Sequence, residues 1–385
     1  MTIQKAGTMQ KAGTVQNSGT VHAASENVIL PAGSGPIIGD DYLDCRPDDV
    51  FWGDLPCATD TAIMSIDPGT SVTIDTLSHE GILADQGRDP RAFFGTHGVD
   101  PDMVLDEAVT LCASDRTHVQ GVDGPHVVTG PIEVRGAQPG DLLAMTVVET
   151  RRRVPYGVVS NRHGRGSLPG EYPLGGATYS AFVSVEGEGD DARGVLPLST
   201  SNPQLAARFP LAPFLGIMGV AAAGDVRLNS IQPGPHGGNL DLTLLTQGAT
   251  LYLPVQVPGA LAYVGDPHFA QGDGEVALTA LEASLRATIR FDVIPASDVT
   301  ARFGELVAPI AETRDFLIPT GLDPDLDVAV QNCVRSAISL LGVRYGMEPA
   351  QALAYLSAAT DFNISQVVDL VKGVHARIRR SDFAQ

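Results

Sequence analysis

A chain of 385 residues, 43% hydrophobic and 18% charged, holds enough material for one large domain or two ordinary ones. Its net charge of −20 disfavours nucleic acid and anionic membrane surfaces as partners, and suits a small neutral substrate or carboxylates gathered around a cation. Four scattered cysteines without a C-x-x-C pair, no charged-then-apolar leader, and no apolar run near the roughly 18 residues of a membrane crossing point to the cytoplasm.

Residues 4–21 are an imperfect six-residue repeat, Gln-Lys-Ala-Gly-Thr-Met and its variants, in three copies. Three short copies cannot build a solenoid, so residues 1–25 are expected to be a disordered extension, with an arm exchanged between subunits as the alternative. From about residue 26 to 320 the pattern is mostly strand, forming a β-rich body. In Thr70–Leu77, Val72 and Ile74 alternate with Thr73 and Asp75, a half-buried strand pattern. Asp75 is unusual there, because strands disfavour aspartate. It reads either as a solvent-facing residue or as a ligand or base projecting from a sheet.

Ser78-His79-Glu80 follows at once. It invites a serine-triad reading, which consecutive residues do not support, and the chain has no G-x-S-x-G elbow. Val127–Val134 and Leu142–Val148 are apolar and β-branched, with the turn Gln138-Pro139-Gly140-Asp141 between them. Asn161-Arg162-His163-Gly164-Arg165-Gly166 is a basic, glycine-rich loop that reads as a solvated connection or an anion site. Thr250–Val257 and Thr288–Val293 are further strands. Connections are rich in glycine and proline, of which the chain carries 42 and 27, and the fold class is α+β, with a β-sandwich or barrel-like body.

Two polar loops interrupt this pattern. His236-Gly237-Gly238-Asn239-Leu240-Asp241 combines an imidazole and a carboxylate with glycines that permit close backbone approach. Gly265 to Glu275 carries Asp266, His268, Asp273 and Glu275 among glycines and a proline, which argue against a helix or a central strand. In an extended segment Asp266 and His268 face one side. Mixed imidazole and oxygen donors suit zinc or another divalent transition metal. An acidic turn with His268 bonded to backbone would look the same from spacing alone. Beyond residue 320, Leu326, Val330, Val334, Ile338 and Leu341 recur at helical spacing. A second helix is expected after Gly346, with Glu348 and Pro349 in its first turn, and a third from about Ser365 to Ile378. Residues 321–385 thus form a helical segment packed on the body, with His375 in a structural role. The chain has three lysines, Lys5, Lys11 and Lys372, so only Lys372 could serve a lysine-dependent mechanism.

Several segments together resemble the acetamidase/formamidase family. They are Thr73–Thr76, Thr129–Val134 with Gly136–Asp141, Pro233–Asp241, Leu253–Leu261 and Gly265–Glu275. Ser78–Gly87 and Ser365–Ala376 are similar to its longer, formamidase-like branch. The resemblance covers most of the chain from about residue 50. It implies hydrolysis of formamide or acetamide to ammonia and carboxylate on a β-sandwich-like scaffold, usually in a homo-oligomer. It further implies shared polar positions at Asp75, His236, Asp241, Asp266, His268 and Glu275. Some relatives carry cysteine soon after the Gly-Asp-Gly-Glu segment; Val276-Ala277-Leu278-Thr279 here excludes a cysteine nucleophile at that place.

The resulting expectation is metal-assisted hydrolysis. A divalent ion, zinc before calcium, sits among Asp75, His236, Asp266 and His268, with Glu275 and Asp241 as the catalytic carboxylates. Two rivals stand beside it: another small amide, carbamate or lactam on the same fold, and a non-enzymatic β-sandwich stabilised by calcium.

Overall fold

The computed structural model describes residues 29–383 except 200, 203, 305 and 307, so the N-terminal repeat lies outside the described residues. Two large sheets dominate, one of nine strands and one of eleven. The alternating segment near residue 70 is a strand, Ser71–Asp75, between Asp41–Leu43 and Leu285–Ile294. Leu285–Ile294 also pairs with Leu142–Arg152, which continues to Thr250–Pro254. The apolar faces of both sheets meet in one core, with Val72, Ile74, Leu143 and Ile289 from one and Ile132, Leu215, Met218 and Val264 from the other. This is the expected sandwich. The strand Ser71–Asp75 is buried on both faces, though, and Thr73 Oγ1 lies 2.9 Å from Thr288 Oγ1.

The C-terminal part departs from the three expected helices. Leu326–Tyr345 and Pro349–Ala359 are helical, the first capped by Asp325 and ended by left-handed Gly346. Leu326–Tyr345 is long and apolar enough to cross a membrane by length and composition. Here Ala329, Cys333, Ala337 and Leu340 bury one face of it in a second core shared with Leu317, Val374 and Ile378. The third expected helix is instead an antiparallel hairpin, Asp361–Gln366 with Lys372–Arg379, which extends the nine-stranded sheet from Phe316–Asp323. His375 is therefore a strand residue, its Nδ1 2.8 Å from Ser365 Oγ. All four cysteines are free thiols.

The segment Gly265–Ala270 also differs from expectation. It lies inside the strand Ala262–Ala270, between Phe214–Val220 and Val127–Val134. Glycine and proline are tolerated in this interior strand for local reasons. The Val127 carbonyl lies where a Gly265 Cβ would sit, and the Pro267 carbonyl still accepts from Ala283 N–H at 3.0 Å. Asp266 adopts φ 51°, which breaks the regular ladder.

Candidate active site

Sheet pairing converges on one acidic, imidazole-rich cluster. Asp266 and His268 project from the strand Ala262–Ala270, with His268 Nε2 3.0 Å from Asp266 Oδ2. The short strand Leu281–Glu282 pairs back on it, setting Glu282 opposite His268, and Glu282 Oε1 also lies 3.0 Å from His268 Nε2. The loop after Gly237–Asn239 brings Asp241 Oδ1 to 4.0 Å from His268 Nδ1. Two histidines arrive from elsewhere. His79 follows the strand Ser71–Asp75, and His126 precedes Val127–Val134. His79 Nδ1 and His126 Nε2 lie 3.5 and 3.7 Å from Asp266 Oδ1.

Three overlapping groups have ligand atoms mutually within 4.8 Å: His79, His126 and Asp266; Asp266, His268 and Glu282; Asp241, His268 and Glu275. All seven residues are buried. Both nitrogens of His79 and His268, both Asp241 oxygens, Asp266 Oδ1, Glu275 Oε2 and Glu282 Oε2 lack hydrogen-bond partners. Buried polar atoms normally have partners, so this concentration of orphans marks a place built for a ligand. Polar groups stand behind the outer nitrogens of the two histidines facing Asp266. His126 Nδ1 lies 3.0 Å from Ser230 Oγ, and Glu80 Oε1 stands 3.5 Å from His79 Nε2. Support of this kind fixes the ring orientation of metal-binding histidines.

The electrostatics follow from crowding in a dry place. Burial first, then neighbouring acids, push the carboxyls of Asp241 and Glu275 well above the usual range; the principal neighbour of Asp241 is Glu275, and that of Glu275 is Asp369. Burial raises Glu282 and lifts Asp369 to about 7. Burial opposes ionisation of Asp266, but His268 and His126 outweigh it and hold its carboxyl well below the usual range. Three of the acids, Asp241, Asp266 and Glu275, have φ between 45° and 51°, a conformation rare for residues with side chains and characteristic of functional sites.

The loop carrying Glu275 is tied down by the C-terminal hairpin. Asp273 accepts hydrogen bonds from Thr243, Asn363 and Arg377 at 2.9, 2.6 and 2.6 Å. Gln271 donates to the carbonyls of Asp241 and Ser365. Asp273 thus holds the loop and does not join the cluster.

Of the sequence-predicted residues, Asp241, Asp266, His268 and Glu275 come together. Asp75 and His236 do not. Asp75 is buried, but Arg286 grips both its oxygens at 2.6 and 2.8 Å, Tyr42 donates at 2.7 Å, and Arg153 lies 3.6 Å away. Its cation is guanidinium, and the ligand expectation for it is corrected. The His236 ring sits over Gly234 and Gly238, and burial alone pushes it down to about 4. It belongs to none of the three groups. The sequence reading missed His79, His126, Glu282 and Asp369. Glu282 carried a signal, a lone acid in the apolar run Ala280–Leu285, and His79 stood in the segment dismissed with the serine triad.

Five residues of the cluster, His79, His126, Asp266, Glu275 and Glu282, form the floor of a cavity of about 920 Å³. Residues 223–378 match the Acetamidase/Formamidase family. A formamidase of Methylophilus methylotrophus is 27% identical over 305 residues, 64% of this chain and 74% of that protein. An acetamidase of Mycolicibacterium smegmatis is 29% identical over 202 residues, 39% of this chain and 49% of that protein. The chain thus spans about half to three quarters of the curated relatives it matches. The fold is shared with the crystal structure of an acetamidase from Bacillus halodurans, with a TM-score of 0.67 and 24% identity, over 88% of this chain and 98% of the other. Asp241, Asp266, His268, Glu275 and Glu282 all lie inside the segment that matches the Acetamidase/Formamidase family.

Proposed function

We propose that the chain hydrolyses the C–N bond of short aliphatic amides, giving ammonia and a carboxylate, at the His79–Asp266–Glu275 cluster. One observation carries the reading: buried, partnerless carboxylate atoms of Asp266, Glu275 and Glu282, all in the segment that matches the family, converge with His79 from outside that segment at the lining of an open cavity. His79, His126 and Asp266 have the composition of a catalytic zinc set, two imidazoles and one carboxylate. His268 and Glu282 stand beside Asp266 to complete or support it. The two imidazoles argue against calcium, which takes oxygen ligands. A zinc ion held there supplies Lewis acidity toward an amide oxygen and toward water.

The chain's own residues do the rest. Glu275 lines the cavity and takes the proton of the attacking water, then passes it to the leaving nitrogen. A carboxyl raised by burial and by its neighbours is better matched to that task near neutral pH than an ordinary glutamate. Asp241 shares the proton within the crowded carboxylate group. Glu80 and Ser230 keep His79 and His126 turned toward Asp266. A homo-oligomer in the cytoplasm fits the same reading.

The test is ammonia release from formamide and acetamide, with metal content measured on the purified protein. Glu275→Gln is expected to melt like wild type and to lose activity by about 10²-fold or more. Near-wild-type turnover in that variant would remove Glu275 from the mechanism.

A further inference from the structure

The cavity is far larger than a formamide or acetamide requires. At about 920 Å³ it falls in the range, roughly 300–1,000 Å³, that holds drug-sized ligands. Its floor is acidic, but basic residues also line it. The glycine-rich turn Arg162–Gly166 and Lys372, at the start of the last strand, both line it. Arg162 is already neutralised, 2.7 Å from Asp85 and 3.4 Å from Glu80. Neither Arg165 nor Lys372 has an acidic partner within 4.0 Å among the described residues. Asp123, also on the lining, accepts from Val119 N–H at 2.7 Å instead.

Lys372 is half-buried in a chain of net charge −20 that has only three lysines. It follows Asp369 by three residues, so its Cα lies within about 11 Å of the acid that reaches the floor. Its cross-strand neighbour is Asp323, which makes no ion pair with it within 4.0 Å, and Lys372 lines the cavity that a substrate enters.

We propose that Lys372 and Arg165 bind a carboxylate carried by the substrate, so that the preferred amides are those with an anionic far end, such as monoamides of dicarboxylic acids. This rests on the amidase reading and adds its substrate class. The acidic floor repels an anion, and the two cations attract it to the rest of the lining; together they favour one orientation of such a molecule, amide inward. For succinamate, water adds across the C–N bond, the carbonyl carbon gains the hydroxyl, and the nitrogen leaves as ammonia with the transferred proton, giving succinate.

Succinamide is the neutral near-isostere of succinamate, so the ratio of their kcat/KM values isolates the charge. The ratio is expected to exceed ten in the wild-type protein and to fall as salt is raised. Lys372→Met and Arg165→Gln, alone and combined, are expected to lower kcat/KM for succinamate by several-fold more than for succinamide. Succinate is expected to inhibit acetamide hydrolysis, and more weakly in Lys372→Met. A wild-type ratio of one or less, or a ratio unchanged in the double variant, would overturn the proposal. Turnover of acetamide without turnover of succinamate overturns this inference alone. No ammonia from any of the three amides overturns the amidase reading beneath it.

Discussion

Gly216 offers the sharpest probe of the cluster. It lies in the strand Phe214–Val220, hydrogen-bonded on one side to Ala262–Ala270 and on the other to Gly237–Asn239. A Cβ added at Gly216 would sit 2.5 Å from Asp241 Oδ1, 2.5 Å from Asp266 Oδ2 and 2.7 Å from His268 Cε1. Restoring the 3.4 Å of ordinary contact requires shifts of about 0.9 Å (3.4 less 2.5) in two carboxylates at once. The paired strands leave the backbone little room to absorb this. A misplacement near 1 Å costs on the order of 10²-fold in rate, whereas overpacking costs about 1–3 kcal/mol of stability. Gly216→Ala is therefore expected to lose about 10²-fold in kcat/KM for acetamide, with weakened metal retention and a modest drop in melting temperature. Gly219→Ala in the same strand is the control, because its Cβ meets the Tyr263 ring and no site residue. It should melt earlier and keep its metal. Full activity and metal content in Gly216→Ala would show that the reaction does not depend on these three side chains.

Asp75→Asn leaves the buried Arg286 without its anion, while Arg153 keeps its closer partner Glu107; the expected loss is about 3–5 kcal/mol in stability, with activity per folded molecule and metal content retained. Loss of metal at unchanged stability would return Asp75 to the ligand set. His236 is neutral when folded, pushed down to about 4 by burial, against about 6.5 when unfolded. As pH falls the unfolded state takes the proton first, so this contribution is intact above about pH 6.5 and is lost toward pH 4, by about 3 kcal/mol in total. Denaturant unfolding of His236→Asn between pH 7 and pH 4.5 should show a shallower loss than wild type; parallel curves would contradict the assignment.

How much of this was legible varies by residue. Apolar, β-branched runs beside turn residues located the strands around Val127 and Leu142, and alternation located the one around Val72, because a half-buried sheet face imposes a period of two. It could not distinguish a strand exposed on one face from Ser71–Asp75, whose second face is covered by polar partners such as Thr288. The segment Ser365–Ile378 misled for a different reason. Val367, Val368, Val371 and Val374 match helical spacing, but Asp369 and Leu370 adopt φ of 60° and 65° and turn the chain. Pairing with Phe316–Asp323 then outweighs the local pattern.

By itself the sequence determined the chemistry available: a β-rich scaffold, two glycine-rich polar segments, and Asp266 and His268 spaced to share one face of an extended chain. Tertiary structure decided which groups meet. A buried acid requires a cation, and nothing local says whether that cation is an arginine or a metal; Asp75 found Arg286, 211 residues away, through the pairing of their two strands. The same kind of long-range register set Glu282 against His268 and carried His79 and His126 to Asp266. Convergence of ligands is a property of sheet pairing, which one-dimensional spacing does not encode.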